Sequence, residues 1–368
     1  LQVVVTFFPV AYAFFNPSSQ AICPNQTCNI LNRSNVAGPS FTWTALGSSG
    51  NVSGYLPGSG NLIQQTLVNS SYSNETVTYR VTPTANGCIG TPSNVVVTVH
   101  PDPVVTFQAC YDPVITTDAQ PIKLKGGIPL GGIYSGPGIA GTTFYPATAG
   151  TGTHTLNYLF INMYGCSKNA NQSIIVISPL AFTCGNSLMD VRDNQTYSTL
   201  VIGTQCWMGV NLNYGNTLTS ANMQRDNCTP EKYCYNDVPG NCSTYGGLYQ
   251  WDELMKYDNT VSGQGMCPPA WHVPTETEWN VLFKYYISNG FAGAALKYTG
   301  FSNFNAFLDG VKFKSINWNF LDFATLYWSS NSRGIYKAWA HGMNTYNPSV
   351  SFYPGARSNA FSVRCIKD

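Results

Sequence analysis

Four histidines, two close carboxylate pairs and twelve cysteines are the residues of this 368-residue chain from which chemistry would have to be built. His100, His154, His272 and His341 stand at no spacing that a metal site or a nucleophile–base couple uses. His100 falls at a strand end, and His272 lies in a loop entering a helix, where a hydrogen-bonded structural role suffices. Asp190 with Asp193 and Glu276 with Glu278 offer the paired carboxylates of a glycosidase. Each pair has a simpler assignment: the first flanks a turn before a strand at Tyr197, and the second occupies the first turn of a helix, where acidic groups favour the dipole. No nucleophile elbow, zinc-binding helix, phosphate loop or dinucleotide fingerprint is present in the sequence. The expectation is a protein that is not an enzyme, with no catalytic residue, metal or cofactor.

The cysteines are even in number and form no CxxC or Cys/His zinc pattern, which favours disulfides made in an oxidising compartment, outside the cell or on its surface. Charged residues are only 10% of the chain, against about 25% in typical soluble domains, and aromatics reach 14%. Such a surface suits extracellular packing. The net charge is +1 with 18 scattered Lys and Arg, so no basic stripe exists to follow nucleic acid. No apolar stretch reaches the roughly 18 residues of a membrane span. The chain begins at Leu1 and not Met, which implies that something upstream has been removed or left out.

The elements come from a search for repeats. Three runs of β-branched residues end in proline: Val3-Val4-Val5-Thr6-Phe7-Phe8-Pro9, Val95-Val96-Val97-Thr98-Val99-His100-Pro101 and Ile174-Ile175-Val176-Ile177-Ser178-Pro179. Each reads as a closing strand, because such runs favour the pleated sheet and proline cannot donate to its ladder. The prolines stand 92 and 78 residues apart, lengths that suit immunoglobulin-like sandwiches. Alternating segments such as Phe41-Thr42-Trp43-Thr44, Thr76 to Val81 and Thr155 to Phe160 lie between them, separated by Asn86-Gly87, Gly126-Gly127 and Gly131-Gly132 turns.

Tyr79-Arg80-Val81-Thr82-Pro83-Thr84-Ala85-Asn86-Gly87-Cys88, Gly132-Ile133-Tyr134-Ser135-Gly136-Pro137-Gly138, Pro146-Ala147-Thr148-Ala149-Gly150 and Tyr164-Gly165-Cys166 carry a resemblance. Over residues 10–180 or so the chain resembles the immunoglobulin-like or PKD-like repeats of Bacteroidetes surface proteins, which are spacers and adhesin stalks. The resemblance implies two disulfides, Cys23 to Cys88 and Cys110 to Cys166, each worth about 4 kcal/mol in the chain-constraint model.

One closing strand has no sandwich in front of it. In water it would expose Val3, Val5 and Phe7 on one face and Val4 and Phe8 on the other, forgoing roughly 5 to 8 kcal/mol of burial per face. The natural acceptor is an incomplete sheet or groove on another copy, and strand donation repeated head to tail builds a fibre. Val3, Val4, Val5, Thr6, Phe7 and Phe8 are the candidate polymerisation strand. Two plainer readings stand beside it: a fragment of a longer multi-repeat protein, or a signal-peptide remnant around Ala11-Tyr12-Ala13, which lacks a basic region before it.

After residue 182 the texture changes, with seven of eight tryptophans beyond residue 200. Thr275-Glu276-Thr277-Glu278 behind Pro274 is a capping box, and Trp279, Leu282, Phe283 and Tyr286 form the apolar stripe of a helix closed by Asn289-Gly290. A shorter helix is expected over 249–256. Cys184-Gly185, Asp190-Val191-Arg192-Asp193, Ile202-Gly203-Thr204-Gln205-Cys206-Trp207-Met208, Tyr245-Gly246-Gly247-Leu248-Tyr249-Gln250-Trp251, Cys267-Pro268-Pro269-Ala270-Trp271-His272-Val273-Pro274, Tyr327-Trp328-Ser329-Ser330 and Phe361 to Asp368 resemble the Fibrobacter succinogenes major paralogous domain. That family is similar to the C-type lectin-like fold, which implies a compact α+β module. By that analogy Cys267 pairs with Cys365, Cys234 with Cys242, and Cys184 with Cys206. Cys28 and Cys228 then lack a mate. They either bridge domains or subunits, or pair locally with different partners, the latter slightly favoured because connectivity is not readable from spacing. The calcium motif of sugar-binding C-type lectins is absent, Asn347-Pro348 not completing it.

The expected fold is mainly β: a donor strand over 1–9, Ig-like β-sandwiches over 10–100 and 101–180, and a lectin-like α+β module over 182–368. The expected function is a structural subunit of an extracellular filament whose partners are copies of itself. The alternative is a surface adhesin with an Ig-like stalk and a lectin-like head for glycans or proteins.

Overall fold

The structure, a computed structural model, describes residues 8–287, 291–298, 300–314 and 318–368. The candidate residues Val3, Val4, Val5, Thr6 and Phe7 lie outside the described residues, as does the expected Asn289-Gly290 helix stop, and Phe8 is exposed. With 44% strand and 10% helix the chain is mainly β.

The first sandwich follows from alternation. In the closing strand Ser93–Val99, Val95, Val97 and Val99 are buried while Val96 faces outward, as a period of two requires. It pairs antiparallel with Glu75–Ala85, which contributes Val77, Tyr79 and Val81 to the same core. Ser40–Gly47 continues that sheet with Phe41 and Trp43. The facing sheet, built on Gln26–Ser34 and Leu62–Asn69, supplies Ile30, Ile63 and Leu67. The opening segment serves both sheets. Ala13–Asn16 pairs antiparallel with Gln26–Ser34, and beyond Pro17 the strand Ser19–Ile22 lies parallel to Val96–Val99. Proline has no N–H for either ladder, so the crossing falls where a ladder bond would be lost anyway.

The second closing run is placed alike. Ile175 to Ile177, at the end of the strand Ser167–Ile177, lie parallel to the opening strand Val114–Thr116. Ile115, Leu124, Phe144, Leu156, Ile174 and Val176 are buried around it.

The chain divides into two compact units, and the 101–180 segment expected as one sandwich is shared between them. One unit takes residues to Phe107 with Gly127–Ile133 and Tyr158–Ala170; the other takes Gln108–Gly126, Tyr134–Asn157 and Asn171–Asp368. Bonds within each unit give the reason. In the first, Cys23–Cys166, Asn162 Nδ2 to the Pro101 carbonyl (3.1 Å) and the Lys168–Asp102 pair (3.0 Å) hold the 158–170 segment. In the second, Cys110–Cys228 and the Lys256–Asp112 pair (2.8 Å) hold the 108–126 segment to the C-terminal module.

That module has a sheet running Tyr249–Gln250, Ala360–Phe361, Asp309–Lys312, Ala324–Ser332, Lys337–Asn344 and Ser351–Ala356, with Trp318–Leu321 beside Asp309–Lys312. A smaller sheet joins Thr199–Ile202, Gln205–Met208, Ile366–Lys367 and Trp271–His272. Helix Glu276–Ile287 packs Trp279, Leu282, Phe283 and Tyr286 against Trp207, Phe304 and Tyr327. Its capping box is reciprocal: Thr275 Oγ1 accepts from the Glu278 N–H (3.2 Å), and Glu278 Oε2 accepts from the Thr275 N–H (2.8 Å). The shorter helix is the single turn Trp251–Leu254.

Candidate functional site

Ten of the twelve cysteines are bonded, and two of the expected pairings are corrected. Cys23 bonds Cys166, not Cys88, and Cys110 bonds Cys228, not Cys166. Cys88 starts a two-residue hairpin strand, Cys88–Ile89, and is exposed. Cys23 sits in the turn before Gln26–Ser34, and its Cα lies 5.4 Å from that of Cys166. Cys228 therefore has a mate, and Cys28 and Cys88 are the free thiols. Alternation turns Cys28 into the first core, where it is buried and its Sγ lies 4.0 Å from the Tyr79 hydroxyl. In the C-terminal module Cys184 bonds Cys206, Cys234 bonds Cys242 and Cys267 bonds Cys365.

One carboxylate of the first pair is held by a cation. Asp190 is buried and receives Arg192 Nε at 2.8 Å and Nη2 at 2.7 Å, a bidentate pair. Arg192 lies over the Tyr214 ring (3.8 Å) and reaches Asp112, which also receives Lys256 Nζ at 2.8 Å and the Tyr214 hydroxyl at 3.2 Å. Burial pushes the Asp112 carboxyl up, but Lys256 and Arg192 outweigh it and hold the group below the ordinary carboxylate range. Asp193 is raised by burial, and it accepts the Gln195 N–H at 3.0 Å.

Glu276 and Glu278 each meet a histidine. Glu276 Oε1 is 3.0 Å from His341 Nε2. His272 lies between Glu278 (2.9 Å) and Asp368 (2.6 Å). Burial lowers its pKa, yet hydrogen bonds to Asp368 and Glu278 win and bring it up to about 9. Charged at neutral pH, His272 ties Asp368 to the helix start. A neutral imidazole, the form a general base needs, is disfavoured there.

Two features went unread in the sequence. Arg364 is fully buried and donates to Asn211 Oδ1 and to the carbonyls of Met208 (3.2 Å), Phe304 and Asn305 (3.0 Å). Nearby Asp309 is pushed to about 6 by burial. The second feature is a cavity of about 310 Å³ in the same unit, beside the Cys110–Cys228 bond, walled by Tyr111, Tyr214, Tyr257, Met266, Asp112 and Glu253. Burial raises the Glu253 carboxyl to about 7, against hydrogen bonds from the Glu231 N–H and Tyr257.

The buried residues around Arg364 and Trp207 fall in one continuous stretch that a family model recognises. Residues 200–367 match the Fibrobacter succinogenes major domain. Residues 20–103 match a PKD-like domain, so the two stand in the order that the motifs implied. No curated protein gives a significant match. Similar solved structures include the periplasmic chaperone SfaE, 11% identical over 46% of this chain and 100% of that one, with a TM-score of 0.20. Dpr2 Ig1-Ig2 in complex with DIP-Theta Ig1-Ig3 is 12% identical over 45% and 64%, with a TM-score of 0.19, and Sidekick-1 immunoglobulin domains 1-5 are 8% identical over 46% and 39%, with a TM-score of 0.22. Likenesses this weak carry no argument.

The PKD-like domain, the Fibrobacter major domain and five disulfides fit an extracellular surface protein. Among the described residues no helix is long and apolar enough to cross a membrane.

Proposed function

We propose that this chain is a structural, non-catalytic subunit of an extracellular bacterial filament, which lends its Val3–Phe8 strand to the next copy and is hardened by disulfides. One observation carries the reading. The two described copies of the proline-terminated run do the same job, each lying parallel to the opening strand of its own sandwich: Val96 to Val99 beside Ser19 to Ile22, and Ile175 to Ile177 beside Val114 to Thr116. The third copy, at residues 3–8, stands ahead of the first opening strand of the residues given, and on this reading its sheet partner is another copy. Head-to-tail repetition of that contact does not close on itself and extends into a fibre.

A second reading, a surface adhesin with a lectin-like head, is favoured by the tyrosine-walled cavity beside Cys110–Cys228, whose size lies at the lower end of ligand pockets. A glycan array probed with and without EDTA tests it.

The test of the first reading is chain termination. Synthetic peptide of sequence Leu1–Phe8, added to assembling protein, occupies acceptors and shortens the fibres seen by electron microscopy. Fibre lengths that ignore excess peptide count against strand lending.

A further inference from the structure

A largely apolar strand needs two things from its acceptor: an open sheet edge to continue the ladder, and an apolar groove beside that edge to take alternate side chains. In the sandwiches the ends of the sheets are already taken up or short. Each has its own opening strand beside its closing strand, and the edge strands of the first are two to four residues long.

The C-terminal module offers both. Ser351–Ala356 ends the large sheet, is paired on one side only by Lys337–Asn344, and at six residues is the longest edge strand among the described residues. Beside it runs a groove of about 590 Å³ lined by Phe283 and Lys284 of the helix, by Phe291 and Ala292, and by Val350 and Phe352. Phe291 and Phe352 are 59% and 53% exposed, an unusual cost in water for two phenylalanines facing one groove. The Phe352 ring meets Phe283 edge-on at 6.1 Å, so one wall continues into the core. Pro354 has no N–H to offer, which confines a new ladder to the Ser351–Tyr353 end, where the groove lies.

We infer that this groove, between helix Glu276–Ile287 and the edge strand Ser351–Ala356, accepts the Val3–Phe8 strand of a second copy. The inference rests on the strand-lending reading and names its acceptor. The occupant fits in length and chemistry. Residues 1–7, outside the described part, together with Phe8 span roughly 26 Å when extended, more than enough to cover the Ser351–Tyr353 end of the edge and the groove beside it. They carry no charge, and their alternation presents Val3, Val5 and Phe7 to one side.

The test uses the full-length chain in three variants: Phe352→Asp and Phe291→Asp on the two walls, and Val5→Asp on the donor. Critical concentration is read by sedimentation and electron microscopy, with the melting temperature of each monomer as the fold control. The expected result is a roughly thirtyfold higher critical concentration for all three. An equal mixture of Phe352→Asp and Val5→Asp chains then forms dimers and no fibres, since one still donates and the other still accepts. If Val5→Asp stops assembly while both wall variants assemble like the parent, the groove is wrong and strand lending stands. If Val5→Asp assembles like the parent, both fall. Should Phe352→Asp unfold, Phe291→Asp, at the exposed N-cap of the helix Ala292–Leu296, decides the matter.

Discussion

Cys110 and Cys228 are joined by a disulfide although 118 residues separate them, with Cα atoms 4.2 Å apart. The bond holds the 108–126 segment to the C-terminal module, together with Lys256 and Arg192 at Asp112. In the chain-constraint model a loop of that length is worth about 5 kcal/mol. Replacing both cysteines by serine is expected to lower the urea midpoint accordingly and to open residues 108–126 to protease. An unchanged midpoint and digestion pattern would show that the ion pairs alone suffice.

Free thiols report the corrected connectivity. Cys88 is exposed and Cys28 fully buried, so maleimide is expected to label one thiol of the native chain and two after denaturation without reductant. Mass spectrometry of the labelled peptides checks this. Label on Cys23 or Cys166 would contradict the framework.

His272 makes stability depend on pH at the alkaline end. Its folded pKa of about 9 lies above the ordinary value of 6.5, so its contribution is complete below 6.5 and disappears as pH rises through 9. Glu278, pulled down by His272 and Thr275 against burial, contributes above its ordinary 4.5 and loses that as pH falls. His272→Gln is expected to cost about 2 kcal/mol at pH 6 and little at pH 10, by thermal melts at both. A cost that does not change with pH would remove the charge from the explanation.

Glu253 works in the opposite sense. Burial lifts its carboxyl to about 7, above the ordinary 4.5, so the folded chain holds a proton that the unfolded chain has lost, and stability falls as pH rises from 4.5 through 7. Glu253→Gln removes this penalty: melting temperature rises at pH 8, by the equivalent of up to about 3 kcal/mol, and does not rise at pH 4.5. A variant less stable than the parent at pH 8 would mean that the ionised group is held by attraction.

Local chemistry in this chain is legible in residue order, and long-range pairing is not. The closing strands announce themselves because Val95 to Val99 and Ile174 to Ile177 alternate around one core and then meet a proline. Thr275 and Glu278 cap a helix from three residues apart, and Cys234 reaches Cys242 across a separation of eight. The Cys23–Cys166 bond depends instead on where turns bring two distant segments, which alternation within a strand does not encode. The same holds for Asp112: its neighbours in sequence give no sign of Arg192 or Lys256. The resemblance to surface repeats suggested a cysteine pair inside each sandwich, and the division of residues 101–180 between two units shows why that failed.

Strand lending is tested most directly by deleting residues 1–8 and imaging the product by electron microscopy beside the parent chain. The account predicts folded, disulfide-intact monomers and no fibres from the shortened chain, with fibres from the parent. Fibres of ordinary length and number from the shortened chain would contradict it.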